Sequence, residues 1–153
     1  MYKRQPQEGA LAVIARAEEK GARVYALSGK DVSQEQDVQA LLATRFDQPM
    51  RGIFHAAGVL NDKFIADLDA EGLRSVVGPK VEGTMYLHKH SQGLPLDHFV
   101  LFSSITSVTG NAGQANYAAA NAFMDGLVES RVRNGLPGNT INWGPWAEAG
   151  MAS

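Results

Sequence analysis

The sequence lacks several features that point to particular classes of protein. None of its 153 residues is cysteine, which excludes disulfides and thiolate chemistry but fits either redox compartment. It has no run of eighteen apolar residues and no signal peptide, so we expect a cytosolic chain that does not contact a membrane. Its net charge is −2 and it has no cluster of lysine and arginine, so nothing in it indicates binding to nucleic acid.

Two binding motifs are absent as well. The four histidines are scattered, and His88 and His90 are two residues apart on a predicted helix, where they face different ways. We therefore expect no metal site. The sequence also contains no G-x-G-x-x-G, the turn that seats a pyrophosphate on a helix N-terminus in dinucleotide-binding folds.

What remains is an ordinary globular composition, with 44% hydrophobic and 20% charged residues, enough for one core. Strand-like and helix-like segments alternate along the chain. Predicted strands cover 23–27, 51–55, 99–104 and 139–142; predicted helices cover 6–20, 33–45, 69–90 and 114–133. Gly78-Pro79 should kink or interrupt the third helix. The alternation predicts an α/β fold with a parallel sheet.

The stretch from His98 to Asn121 organises the rest of the chain. An apolar run from Phe99 to Phe102 is typical of a buried parallel strand, and it ends in Ser103 and Ser104. A loop and a helix follow, and the helix carries Tyr117 and Asn121. In open α/β sheets ligands bind at the C-terminal edge of the strands, so this stretch brings a serine and a tyrosine to one crevice.

Four residues of this region indicate a proton-donating site. Tyr117 and Asn121 share one helical face, Ser104 precedes the tyrosine by thirteen residues, and Lys80 lies a further twenty-four residues back. A phenol is a poor acid at neutral pH, and a nearby ammonium makes it a usable one by favouring its deprotonated form. Taken singly, Lys80 reads more readily as a solvated surface lysine and Gly58 as a simple turn, and the spacing of Lys80 to Ser104 and Tyr117 reverses that reading for the lysine.

The sequence resembles the ketoreductase domains of modular polyketide synthases, which belong to the short-chain dehydrogenase/reductases. Most of that superfamily has Tyr-x-x-x-Lys, whereas this chain has Asn121 and a displaced Lys80, an exchange typical of synthase ketoreductases. The resemblance covers about residues 7 to 153. The matching segments are Gly52–Leu60 (GIFHAAGVL), Gly78–Gly83 (GPKVEG), Phe99–Ser104 (FVLFSS), Gly113–Asn121 (GQANYAAAN) and Asn142–Trp146 (NWGPW).

The resemblance implies a Rossmann-like parallel sheet with flanking helices that is incomplete at both ends. The first two strands, the Gly-rich turn and the last strand of the family would lie outside this chain. Residues 6–153 would then be a partial ketoreductase domain. Residues 1–5 fit no later element and read like a translated sequencing adapter, so we expect a non-native scar there. From the family's strand order we predict a four-stranded sheet in sequence order, with helices on one face and an exposed apolar patch on the other.

The resemblance also implies an activity: reduction of a β-ketoacyl thioester, carried on the phosphopantetheine of an acyl carrier protein, with hydride from NADPH. Tyr117 would protonate the carbonyl oxygen, Ser104 would hydrogen-bond it, and Lys80 would acidify the phenol and hold the nicotinamide ribose. Asn121 would position a water that relays protons. Other polyketide synthase domains would be partners in the same chain.

Further binding residues follow from the same resemblance. Leu60-Asn61-Asp62 is similar to the Leu-Asp-Asp motif of ketoreductases that give the D alcohol, called B-type, and Thr109 stands where the opposite class has tryptophan. Gln114 and Asn116 would help control the substrate's orientation. Taken alone, Asp31 reads equally as a loop residue and Trp146 as a packed core residue. The implied cofactor contacts are Asp31, Val32, His55, Ala56, Ala57, Gly58, Lys80, Tyr117, Pro145 and Trp146.

Two other functions remain possible on the sequence alone. A non-reductive domain could keep the fold as a scaffold, but a scaffold does not require Lys80, Ser104, Tyr117 and Asn121 together. Another short-chain reductase could act on a free small molecule, and Asn121 in place of lysine argues against that. A further alternative is that the chain taken by itself is an inactive piece that binds no nucleotide.

Overall fold

The computed structural model describes residues 8–27, 29–44 and 47–145. They divide between two compact units, residues 1–31 and residues 32–153. Residues 1–5, predicted to be a scar, lie outside the described residues. No helix in the described ranges is both long and apolar enough to span a bilayer.

In the described part of the first unit there is one helix, α1 (Glu8–Glu19). It ends as predicted at Gly21, whose φ of 87° is a left-handed conformation that favours glycine. The N–H of Ala22 bonds back to the carbonyl of Ala17 at 3.0 Å, which satisfies a carbonyl that the end of the helix leaves open. Residues 22–27 then run without regular secondary structure.

The predicted strand at 23–27 is therefore wrong. Its apolar residues are substantially exposed: Tyr25 by 59% and Leu27 by 51%. A strand is stabilised by hydrogen bonds to a neighbouring strand, and the ladder of the described sheet includes none of these residues. The apolar residues from Val24 to Leu27 favour extended structure, but they do not take part in the hydrogen-bonded ladder of the described sheet.

The second unit is built on three parallel strands, β1 (Gly52–His55), β2 (His98–Ser104) and β3 (Asn139–Trp143). Their order in the sheet is β1-β2-β3. The sequence order that we predicted is thus confirmed for these strands, and a fourth strand is not part of the described sheet. The register places Ile53 opposite Phe99 and Ser104 opposite Trp143.

Among residues 32–44 and 47–145, five helices accompany the strands. They are α2 (Glu35–Leu42), α3 (Ala70–Val77), α4 (Gly83–Ser91), the short α5 (Thr106–Thr109) and α6 (Ala115–Arg133); a 3₁₀ turn spans Ile65–Asp67. The predicted helix at 33–45 is shorter, because α2 begins after Gln34 and ends at Leu42. At α3, Asp69 accepts a hydrogen bond from the N–H of Gly72 at 2.6 Å, which fixes the predicted start of that helix.

A π-helical turn, Gly78–Glu82, joins α3 to α4. Pro79 has no N–H to continue the α-helical ladder, and the N–H of Gly83 bonds to the carbonyl of Gly78, five residues back. The predicted interruption at Gly78-Pro79 is confirmed, but the helix is widened rather than broken. Lys80 lies in this turn.

The core lies on one face of the sheet. Side chains of β1 and β2 pack there against α2, α4 and α6, and each fully buried one contributes about 1.5–3 kcal/mol. The cluster consists of Val38, Ile53, Leu87, Phe99, Leu101, Met124 and Val128. A second cluster, Val76 with Tyr117 and Ala120, joins α3 to α6. On the opposite face of β1, Phe54 is 66% exposed.

Candidate functional site

A cavity of about 570 Å³ opens where β2 and β3 end and α6 begins. Ser104 and Trp143, the last residues of the two strands, line it together with Tyr117 from the first turn of α6. This is the C-terminal edge of a parallel sheet, the edge at which open α/β folds bind ligands. The crevice that the sequence predicted is therefore present.

Lys80 is a buried cation within this wall. Its side chain is 3% exposed, its Nζ donates to the carbonyl oxygen of Phe102 at 3.1 Å, and it lies 5.2 Å from the centroid of the Tyr117 ring. Burial lowers the pKa of Lys80 to about 8, and the charge of Asp125 opposes this change. The ammonium is thus still mostly protonated at neutral pH. The reading of Lys80 as a solvated surface lysine is excluded.

Tyr117 is held by the amides on either side of it. The Oδ1 of Asn116 accepts from the N–H of Tyr117 at 2.8 Å, and the Nδ2 of Asn121 donates to the carbonyl of Tyr117 at 2.8 Å. Asn121 is fully buried, and its Oδ1 has no hydrogen-bond partner within the described part of the chain. Because buried polar atoms are normally paired, this oxygen is suited to hold a water.

Ser104 follows the buried run of β2 and is itself 8% exposed. Its Oγ accepts hydrogen bonds from the N–H of Thr106 at 3.2 Å and from the Oγ1 of Thr106 at 2.9 Å. Asn142, on β3, donates to Ser107 at 2.8 Å and to Asp125 at 3.0 Å, which ties α5 and α6 to the strand beside them. Because β3 also pairs with β2, these bonds connect the strand of Ser104 to the helix of Tyr117.

Nine of the residues predicted from sequence line the cavity. Three were predicted to be catalytic, three of the rest to bind the cofactor, and three to contact the substrate; they are Ala56, Gly58, Leu60, Lys80, Ser104, Thr109, Gln114, Tyr117 and Pro145. Trp146 lies outside the described residues. Asp31 belongs to the first unit.

The other predicted residues are not among those lining the cavity. The carbonyl of Asn61 accepts from Asn116 at 2.9 Å, and Asp62 accepts from Gln114 at 2.8 Å, so this segment is tied to the start of α6. Val32 packs closely against Gly83, since a Cβ on Gly83 would lie 3.1 Å from the methyl carbon of Val32. Ala57 and the buried Asn121 likewise do not line it.

His55 was predicted to contact the cofactor, and the structure places it beside the π-helical turn rather than among the residues that line the cavity. It is 4% exposed at the end of β1, and its Nε2 lies 2.9 Å from the carbonyl oxygen of Pro79. Burial lowers the pKa of His55 to about 4, with a smaller contribution from the charge of Lys80. The imidazole is therefore neutral at physiological pH and donates to the π-helical turn that carries Lys80.

Three contacts that shape the site could not be predicted from the sequence. These are the hydroxyl pair of Ser104 and Thr106, the bond from Lys80 to the carbonyl of Phe102, and the bond from His55 to the carbonyl of Pro79. Two of the acceptors are backbone carbonyls, which every residue has, so no residue pattern reveals them. The short helix α5 was also not predicted, because Thr106–Thr109 has no amphipathic period.

The residues present fit one end of a nicotinamide cofactor. Gly58 lets the side chain of Lys80 pass close to the backbone, since a Cβ there would lie 3.0 Å from the lysine Cε. Ala56, Gly58 and Pro145 line the same cavity as Lys80. The sequence supplies no Gly-rich turn for the pyrophosphate. Within the described residues, no group of three or more histidine, aspartate or glutamate side chains is placed to hold a metal ion.

The parallel sheet with flanking helices is a Rossmann-like α/β fold. This set of side chains lies at the C-terminal edge of its sheet. The family model of the KR (ketoreductase) domain matches residues 2–148, and the chain belongs to that family. The resemblance noted from the sequence is thereby confirmed.

Solved structures agree with this assignment. A structure described as A-type ketoreductases from a modular polyketide synthase is 39% identical, with a TM-score of 0.89, and the match covers 96% of this chain and 31% of that one. The first ketoreductase of the tylosin polyketide synthase is also 39% identical, with a TM-score of 0.84, and the match covers 96% of this chain and 32% of that one.

Among curated proteins, polyketide synthase GfsE of Streptomyces halstedii is 48% identical over 119 residues, which cover 77% of this chain and 3% of the synthase. The phenolphthiocerol synthesis polyketide synthase Pks15/1 of Mycobacterium marinum is 41% identical over 145 residues, covering 94% of this chain and 7% of the synthase. The chain therefore spans a small part of the curated relatives that it matches.

Proposed function

We propose that this chain carries the proton-donating half of an NADPH-dependent β-ketoacyl reductase. The substrate would be a β-ketoacyl thioester held by an acyl carrier protein, and the product a β-hydroxyacyl thioester of D configuration. One observation carries the proposal: a lysine buried to 97% lies beside the ring of a tyrosine, and both line one cavity with Ser104. Burying a cation is costly, and a function at the site accounts for it.

The side chains have distinct roles in this proposal. Tyr117 donates its phenolic proton to the substrate's carbonyl oxygen as negative charge develops there, and Ser104 donates a hydrogen bond to the same oxygen. Lys80 stabilises the phenolate that remains, because its ammonium lies 5.2 Å from the ring centroid. Asn121 holds a water through its unpartnered Oδ1, and protons return to the tyrosine by that route.

The cofactor would be bound beside Lys80. Bound NADPH supplies the hydride. Ala56, Gly58 and Pro145 would border its nicotinamide end, and Lys80 would contact the adjoining ribose, in keeping with the cavity that all four residues line. The remaining groups needed for the pyrophosphate and the 2′-phosphate would come from outside this chain.

The D configuration is proposed from the segment Leu60–Asp62 and from Thr109. Leu60 and Thr109 both line the cavity. Asn61 departs from the Leu-Asp-Asp motif, but its Nδ2 donates to Ser75 at 3.1 Å and so the side chain is engaged with α3. The partners follow from the relatives: other polyketide synthase domains in the same chain, and the carrier protein that presents the substrate.

The test is an assay of the full-length protein with a diketide thioester and NADPH. Replacement of Tyr117 by Phe should lower kcat by at least about 100-fold, because the acid is lost while the ring remains. Nucleotide binding should stay near that of the unaltered protein. Tyr86→Phe is the matched control, since Tyr86 is half-buried on α4 away from the cavity. If Tyr117→Phe retains more than about a tenth of kcat, the phenol is not the acid.

A further inference from the structure

Thr106 makes both hydrogen bonds that the structure shows at the Ser104 hydroxyl. Its N–H lies 3.2 Å and its Oγ1 2.9 Å from Ser104 Oγ, and both donate to it. A backbone N–H can act only as a donor, so at least one of these directions is fixed by chemistry. Thr106 also lines the cavity, beside the serine that it contacts.

A serine hydroxyl has one hydrogen to donate and two positions at which it accepts. When Thr106 occupies both accepting positions, the hydroxyl of Ser104 has only its hydrogen left to offer. We propose that Thr106 is a positioning residue, which makes the Ser104 hydroxyl a hydrogen-bond donor toward the cavity through the paired contacts of its N–H and Oγ1. This inference rests on the proposed function, in which Ser104 donates to the substrate's carbonyl oxygen.

The same arrangement has a consequence for Tyr117. Two hydroxyls that share one cavity can bond to each other, and a phenol that donates to Ser104 must break that bond before it can protonate a substrate. With both accepting positions filled by Thr106, Ser104 does not compete for the phenolic proton. Thr106 thereby leaves the proton of Tyr117 available for the substrate.

The backbone around Thr106 is held without its hydroxyl. The N–H of Ile105 bonds to the carbonyl of Trp143 at 3.0 Å, and the N–H of Gly110 bonds to the carbonyl of Thr106 at 2.9 Å. Replacement of Thr106 by Val therefore removes Oγ1 alone, because valine keeps the branched shape and the N–H. Thr106→Ser restores a hydroxyl at the same position, and Thr106→Ala removes it with the branch.

The experiment is a double-mutant cycle in the full-length protein, with a diketide thioester and NADPH as substrates. Thr106→Val and Thr106→Ala should each lower kcat roughly tenfold with little change in KM, because the bond from Ser104 strengthens as charge develops on the oxygen. Thr106→Ser should stay within about twofold of the unaltered protein. In a Ser104→Ala background, Thr106→Val should change kcat by less than about twofold.

The control is Thr44→Val, which removes an exposed hydroxyl that bonds to the carbonyl of Ala40. It should leave kcat unchanged. An equal loss from Thr106→Val with and without Ser104, or no loss at all, overturns the inference while the reductase activity stands. Absence of any reduction by the unaltered protein overturns the proposed function instead.

Discussion

The ammonium of Lys80 lies 5.2 Å from the centre of the Tyr117 ring and donates to the carbonyl oxygen of Phe102. The lysine comes from the π-helical turn, the tyrosine from α6 and the carbonyl from β2. Three elements that are far apart in sequence thus meet at one charged atom. The arrangement places a cation beside a phenol and shields both from water, which strengthens their interaction.

Lys80 should make the protein less stable at neutral pH than at alkaline pH. Its pKa is lowered from 10.5 to about 8, so the folded state releases the proton before the unfolded state does. The free energy of unfolding should therefore rise with pH between about 8 and 10.5, by roughly 2 kcal/mol from pH 7 to pH 10. Lys80→Met has no such group and should lose this rise, as measured by urea denaturation at the two pH values.

The matched control for this prediction is Lys20→Met, since Lys20 is exposed at the end of α1. That variant should keep the rise of the unaltered protein. If Lys80→Met shows the same pH dependence as the unaltered protein, another group is responsible for it.

His55 should have an effect in the acid range. Burial lowers its pKa from 6.5 to about 4, so the unfolded state takes up a proton first as the pH falls. Stability from the neutral imidazole is fully present above about pH 6.5 and should fall by roughly 2 kcal/mol between pH 7 and pH 5. His55→Gln keeps a donor for the carbonyl of Pro79 but does not titrate, so its loss over this range should be smaller by that amount.

Urea midpoints at the two pH values measure this difference, and His98→Gln serves as the control because His98 is exposed. A steep loss of stability in His55→Gln between pH 7 and pH 5 would assign the acid sensitivity elsewhere. The same variant should retain most of the reductase activity at pH 7 if the bond to Pro79 positions Lys80.

The stereochemical proposal has a direct readout. Chiral analysis of the alcohol from a simple diketide thioester should show mainly the D product. Because Asn61 bonds to Ser75 and does not line the cavity, Asn61→Asp should leave the configuration unchanged. A predominantly L alcohol from the unaltered protein would contradict the B-type assignment.

The 153-residue chain taken by itself should bind NADPH weakly or not at all. It contains no G-x-G-x-x-G turn, and without one the pyrophosphate has no cluster of N–H groups to bind. Calorimetric titration of soluble, monomeric chain should give no measurable heat at micromolar NADPH. A micromolar dissociation constant would show that such a turn is dispensable for the cofactor.

The sequence predicted the strands of the sheet well because each has a clear local signature. Phe99 to Phe102 is an apolar run closed by two serines, and it became the central strand. Residues 23–27 have a similar composition but form no strand, and the difference lies in pairing with neighbours, which composition does not record. Local pattern indicates where a strand can form; hydrogen-bonding partners decide whether it does.

The site was predictable where chemistry requires a particular side chain. Tyr117, Ser104 and Lys80 were found because a proton donor, a hydroxyl and a cation at this spacing form one chemical unit, and they line one cavity. Thr106 was missed because its contribution depends on the distance between two hydroxyls in a turn. The contact between His55 and the carbonyl of Pro79 was also missed, because it joins a strand to a helical turn and leaves no local pattern in the sequence.

The π-helical turn at Gly78–Glu82 also limits how this site could be transferred to another scaffold. An α-helix turns about 100° per residue, and the wider turn contains about one residue more than an α-helix needs for the same rise. If Lys80 were grafted onto an uninterrupted helix, its ammonium would therefore point about 100° away from the tyrosine. If the direction of Lys80 were kept instead, every residue of α4 would be misdirected. Deleting one residue from this turn would have the same effect in the native chain, so length in this segment constrains the site as strictly as the identity of the lysine.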